Sequence, residues 1–116
     1  MSEQLTVTHN SGYRFMWVMV LFDLPTTLEA ERKAYTAFRG FLLDNGFEMA
    51  QYSVYIKHTS GKEAVKAVIR KVESAMPPDG KVDILQFTDK QYENIVCLRG
   101  RRRDSPNKNP TQLVLF

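Results

Sequence analysis

Phe15-Met16-Trp17-Val18-Met19-Val20-Leu21-Phe22, followed at once by Asp23-Leu24-Pro25-Thr26, decides the architecture of this chain. Eight consecutive apolar residues are too few to span a bilayer, and a proline three residues past their end argues against helical continuation, so the stretch reads as a central strand. A strand that is apolar at every position offers no side to water, so both faces of its sheet must be covered. The chain's own helices are expected on one face and a second subunit on the other. Asp23 stands where the strand opens into a turn, the place where a sheet usually puts its chemistry.

Length and composition set the frame. A chain of 116 residues makes one domain that buries a core without metal or disulfide staples. Its apolar content of 43% and charged content of 25% are those of an ordinary globular protein. Cys97 is the only cysteine and lies in an apolar run, which excludes a disulfide framework and predicts a buried, reduced thiol. Met1 to Asn10 lack the charged and apolar regions of a secretory signal, so the expected location is cytoplasmic, with no membrane partner. Net charge is +3, but Arg99 to Lys108 alone carry five bases and one acid, a net +4 that leaves −1 for the rest. The basic character is thus one cluster, Arg99-Gly100-Arg101-Arg102-Arg103, which points to a polyanion as partner or, more plainly, to a solvated loop.

Outward from the first strand, the polar, breaker-rich residues 1–13 read as a flexible arm, with His9 solvated. After the strand, Thr26 and Glu29 have the spacing of a capping box, and Leu28, Tyr35, Phe38, Phe41 and Leu42 recur at helical spacing until Gly46 supplies a left-handed stop. The outer face of this helix carries Arg32, Lys33 and Arg39, either ordinary surface or phosphate contacts. Met49 to Lys57 alternates, with Tyr52, Val54 and Ile56 on one face and Gln51, Ser53 and Tyr55 on the other, more polar one. The period alone fits one long strand or two short ones meeting at a bulge. Ser53 has no histidine-and-acid neighbourhood that would make it a nucleophile.

Ser60 and Glu63 form a second capping-box pair, opening a helix through Val65, Val68, Ile69, Val72 and Met76 that Pro77-Pro78-Asp79-Gly80 ends. Its basic outer side, Lys62, Lys66, Arg70 and Lys71, is expected to be solvated. Val82 to Phe87 is the next strand, Thr88 to Gln91 a single helical turn, Ile95 to Leu98 a short strand and Gly100 to Pro110 a loop. The last residues, Leu113-Val114-Leu115-Phe116, are apolar again and must find a sheet or a partner. The expected fold is therefore α+β: helices on one face of a mostly antiparallel sheet, the other face pressed against a second copy in a face-to-face homodimer, with the tail contributing to that contact.

Three stretches carry a resemblance. The apolar strand ending in Phe22-Asp23-Leu24-Pro25, the run Phe38-Arg39-Gly40-Phe41-Leu42-Leu43-Asp44-Asn45-Gly46-Phe47 and the segment Gln51-Tyr52-Ser53-Val54-Tyr55 resemble the CRISPR-associated Cas-two family of small adaptation proteins. The likeness runs from about Arg14 to Gly100, and the region of the first helix looks closest to members accompanying type II systems. The resemblance implies a ferredoxin-like βαββαβ fold with an additional C-terminal strand or strands, in which Met49 to Lys57 is two strands. It also implies dimerisation through the sheet with C-terminal strands exchanged. The implied organisation is an N-terminal arm at 1–13, the ferredoxin-like domain at 14–99 and a basic loop with a terminal strand at 100–116.

For function, the resemblance implies a dimeric scaffold that holds duplex DNA during spacer acquisition and bridges the Cas-one integrase. Arg14, Lys33, Arg39, Arg101, Arg102 and Arg103 are the candidate phosphate contacts, and Leu113 to Phe116 the candidate dimer or partner contacts. Backbone contacts carry no sequence information, which suits a protein that must accept any fragment. The resemblance also implies, for some members, a metal-dependent nuclease acting on RNA or duplex DNA. Carried over, Asp23 becomes the metal-binding and catalytic residue, with Mg2+ as the cofactor. A magnesium ion accepts one or two carboxylates and keeps water in its remaining positions, while the bland alternative is an aspartate that caps a turn. Many relatives place an arginine shortly before Gln-Tyr-Ser-Val, whereas Met49-Ala50 fills that space here.

Overall fold

The computed structural model describes residues 15–104. The arm at 1–13, Arg14 and the tail at Leu113 to Phe116 lie outside the described residues. The first strand is β1 (Met16–Asp23), followed by α1 (Glu29–Asp44), β2 (Glu48–Gln51), β3 (Val54–Thr59), α2 (Lys62–Ser74), β4 (Lys81–Thr88), α3 (Asp89–Glu93), β5 (Cys97–Arg99) and β6 (Arg102–Asp104). β1 is central in a four-stranded sheet of order β2-β3-β1-β4, every neighbouring pair antiparallel, while β5 and β6, among the described residues, pair with each other alone. This is the ferredoxin-like βαββαβ arrangement with an appended two-stranded ribbon.

The pleat sorts β1 into two faces. Met16, Val18, Val20 and Phe22 are buried in one core with Phe38 and Leu42 of α1 and Val65, Val68 and Val72 of α2. Trp17, Met19 and Leu21 point the other way. Trp17 is buried against Ile56 and Tyr92, with Met19 packed beside them. One face is thus covered by the two long helices. The other is closed at the Trp17 end by α3, while Met19, Leu21, Ala50, Val54, Ile56, Ile95 and Cys97 line an open cleft of about 270 Å³.

Both helices form where the apolar spacing predicts, but their starts differ from the capping-box reading. Glu31, not Glu29, closes the entry to α1: its Oε1 accepts the backbone N–H of Leu28 at 2.9 Å and of Thr27 at 3.0 Å. The chain past Pro25 stays extended for longer than the sequence pattern assumes, so Leu28 is the cap residue and remains exposed. At α2 the cap residue is Gly61, with no side-chain bond from Ser60, because Thr59 is the residue that ties this corner down, donating its hydroxyl to the Met16 carbonyl at 2.9 Å. The exit from α1 is as expected: Gly46, at φ 87°, donates its N–H to the Leu43 carbonyl.

Met49 to Lys57 is two strands joined by the turn Tyr52-Ser53, with a register shift between Met49 and Gln51. Ser53 takes the left-handed conformation at φ 60°, and this turn carries Tyr52 out of the sheet. Val54 and Ile56 share the open face, but the opposite face is not the polar one. Tyr55 is 1% exposed in the core beneath the helices, because it faces Val20 across β1. Two further expectations are corrected at the C-terminal end. Cys97 is half-buried at the cleft instead of enclosed, and the arginine cluster is not a loop, since Arg102 and Arg103 sit on β6 opposite Arg99 and Leu98.

Candidate functional site

Asp23 is the last residue of β1 and is exposed on the open face, in line with Leu21, Met19 and Trp17. The register places Lys81, the first residue of β4, directly across from it, with Asp83 across from Leu21 on the same face. Lys81 Nζ lies 3.6 Å from Asp83 Oδ2. On the other flank, the Phe22 N–H donates to the Ser53 carbonyl at 3.1 Å, so the β2–β3 turn abuts the end of β1. Behind Asp23, Gly80 makes the close approach possible. A Cβ there would sit 2.6 Å from Leu24 Cδ2 and 3.0 Å from the Asp23 carbonyl oxygen, at a φ of +102° that L residues rarely adopt.

Among the described residues, no group of three or more histidines, cysteines or acids is placed to hold a metal ion. Asp23 offers a single exposed carboxylate, a donor of the kind that a magnesium ion keeping most of its water would accept.

The expected phosphate contacts are divided between two faces of the sheet. Lys33 and Arg39 ride on α1, over the helix-covered face. Lys33 forms an exposed i,i+4 pair with Glu29 at 3.8 Å, a pair of the kind that contributes little and leaves the lysine available. The Arg39 guanidinium faces the Tyr55 phenol, and burial still holds that phenol above its ordinary pKa against the arginine's opposing pull. Arg101 is exposed at the turn of the β5–β6 ribbon, with Arg102 and Arg103 following on β6. Arg99, which also lines the open-face cleft, joins this group.

A second constellation escaped the sequence reading. The Trp17 indole N–H donates to Asp89 Oδ1 at 2.7 Å, and His58 Nε2 meets the same oxygen at 3.1 Å. The Tyr92 ring stacks on Trp17 with centroids 4.0 Å apart. Together these bonds pin α3, and hence the start of the ribbon, to the middle strands. Burial, with Cys97 adding to it, pushes the Tyr92 phenol up to about 12. Lys81 also went unnoticed, since nothing local marks it. It matters only through the strand register, which no local sequence pattern displays.

The fold and the strand-terminal carboxylate define a class: a small ferredoxin-like protein with an acidic residue at the end of its first strand and an uncovered apolar sheet face. The family model described as CRISPR associated protein Cas2 matches residues 16–95. A protein of Paracidovorax avenae named CRISPR-associated endoribonuclease Cas2 is 51% identical over 106 residues, covering 91% of this chain and 98% of its own. Proteins of the same name from Flavobacterium psychrophilum and Parvibaculum lavamentivorans are 37% and 41% identical, covering 94% and 87% of this chain and 95% and 100% of theirs. The chain belongs to the CRISPR-associated Cas2 family. The family match ends at Ile95, before the ribbon begins.

Proposed function

We propose that this protein is a homodimeric subunit of CRISPR adaptation that holds duplex DNA by its phosphates and presents it to the Cas-one integrase in the cytoplasm. The observation that carries this reading is the open sheet face, where an apolar cleft adjoins the arginine-bearing β5–β6 ribbon. The cleft calls for a second copy, since a monomer gains nothing by leaving Met19, Leu21 and Val54 half-covered around it. Two copies would carry two ribbons, and Arg101, Arg102 and Arg103 of each would grip the sugar-phosphate backbone without reading sequence. The tail at Leu113 to Phe116 would add dimer or integrase contacts. In the test, duplex affinity is measured against salt concentration for the native protein and for Arg101→Ala/Arg102→Ala/Arg103→Ala. Each lost phosphate contact should reduce the log–log slope by about 0.9. An unaltered slope removes the ribbon from the interface.

A second reading, favoured by the shared name of the relatives, is a Mg2+-dependent endoribonuclease acting through Asp23. Magnesium, when bound, supplies charge stabilisation at the phosphate and a water of lowered pKa. Asp23 would hold it from the end of β1, with its counterpart across the two-fold axis. Cleavage of RNA should require Mg2+ and disappear in Asp23→Ala while the dimer persists. Equal cleavage by the variant refutes this role.

A further inference from the structure

The corner where α1 begins carries an apolar residue that the helix itself does not use. Leu28 is the cap residue and is 62% exposed, at a position where serine, threonine, aspartate or asparagine would bond the first backbone N–H groups. Glu31 closes this helix start instead, accepting the Leu28 N–H at 2.9 Å, so nothing local calls for a leucine. Beside it, Leu24, Pro25, Tyr35, Pro77 and Pro78 line a groove of about 180 Å³ on the helix side of the sheet. Sites for drug-sized ligands begin at about 300 Å³, so this groove is suited to a single bulky side chain. Its walls are stiff. The three prolines fix their own φ, and Gly80 packs the loop after α2 so closely against Leu24 that a Cβ would clash there. A preformed groove loses little freedom when it is filled.

Charge decides what can fill it. Both charged residues that line the groove are acids, Glu31 and Asp79, and Glu31 is fixed in place by the Thr27 and Leu28 N–H groups. A phosphate is repelled there, whereas an apolar side chain flanked by lysine or arginine is complementary. In a chain of net charge +3 whose ribbon carries Arg101, Arg102 and Arg103, this corner is the one that nucleic acid avoids. A protein that holds DNA and joins it to an enzyme needs a contact for the enzyme that the DNA does not occupy. An enzyme that grips DNA brings lysine and arginine of its own. A second copy on the open face would leave the groove accessible, since the cleft and the groove lie on opposite sides of the sheet.

We infer that the groove at Leu28 is a docking site for the Cas-one integrase, which enters it with an apolar side chain flanked by a lysine or arginine. This rests on the adaptation reading and assigns the surface by which the enzyme is bridged. The native protein, Leu28→Ser and Asp79→Lys are titrated with the purified integrase and, separately, with duplex DNA. Leu28→Ser removes the apolar wall and completes a capping box with Glu31, so its thermal midpoint should equal or exceed the native one and a weaker complex is not a folding defect. Integrase affinity should fall about 10-fold in Leu28→Ser, as for an apolar anchor. It should fall about 5-fold in Asp79→Lys at low salt and less at high salt, as for a rim charge. Duplex affinity should fall in neither. Full integrase affinity in Leu28→Ser overturns the inference and leaves the adaptation reading standing, whereas a native protein that binds duplex but no integrase overturns the docking site and the bridging role together. Equal losses of integrase and duplex affinity would assign the groove to nucleic acid, and a loss of self-association in sedimentation would assign it to a second copy; either result overturns the inference.

Discussion

Trp17 shows how one side chain commits a segment. Its ring stacks on Tyr92 and its indole N–H reaches Asp89, so one residue of β1, with His58 of β3 on the same carboxylate, holds the short helix α3 to the sheet. Trp17→Phe keeps a ring but leaves Asp89 without its indole donor. The expected loss is about 1–3 kcal/mol in denaturant unfolding, within the range for a broken, partly buried bond to a charged group; a change below about 0.5 kcal/mol would remove the bond from the account. Tyr92 carries the opposite lesson. Its hydroxyl is buried with no hydrogen-bond partner among the described residues, so Tyr92→Phe should be neutral or stabilising near pH 7. Because its folded pKa, about 12, lies above the ordinary 10.0, the folded state holds the phenolic proton more tightly than the unfolded chain does. The associated stability is fully present below pH 10 and disappears as the pH rises through the folded value. Tyr92→Phe should therefore flatten the alkaline decline of the unfolding free energy between pH 10 and 12, and an identical decline in both proteins would contradict it.

At the scale of elements, what the sequence could and could not display follows from the range of the interactions involved. β1 is a long apolar run and α1 and α2 are long and periodic, with Phe38, Leu42, Val65, Val68 and Val72 at core positions, so all three are legible. So is the location of Asp23, because a strand that runs straight into a proline-bearing turn ends where its last apolar residue ends. The side of β3 that is buried was not legible. It depends on the Ser53 conformation and on the register against β1, which together send Tyr55 under the helices and Tyr52 into solvent. The ribbon was not legible either, because three-residue strands rich in arginine have neither the length nor the alternation that marks a strand. Lys81 acquires its place only from pairing across 58 positions of chain to Asp23. The turn that sets this register can be challenged directly. Gly80→Ala meets Leu24 at 2.6 Å and strains a φ of +102°, so thermal unfolding should show a loss of about 1–3 kcal/mol, and a native-like midpoint would mean the two strands can separate there at no cost.

At the scale of the whole molecule, the sheet divides labour between its faces. The helix side is a finished core, and Leu42→Ala, at a fully buried position, should cost about 2–5 kcal/mol. The open side is left partly uncovered by the described residues. Met19→Glu sets a charge into the cleft, so it should shift a dimer to monomers in sedimentation while leaving the helix-side core intact. A native protein that sediments as a monomer at every concentration would dismiss the second subunit. If the dimer does form through this face, Asp23 and the aromatic cluster at Trp17 mark the two ends of one strip, and both ends of the strip lie near the contact.

The ribbon has a consequence of another kind. Among the described residues, β5 and β6 form a sheet of two short strands with no ladder to the main sheet, and a lone two-stranded hairpin is marginal in water. Its backbone amides should therefore exchange with deuterated solvent by local opening, far faster than those of β1, whose exchange awaits global unfolding. The hand that carries the arginines should open and close on its own clock, and a bound polyanion should be visible as the moment that clock slows.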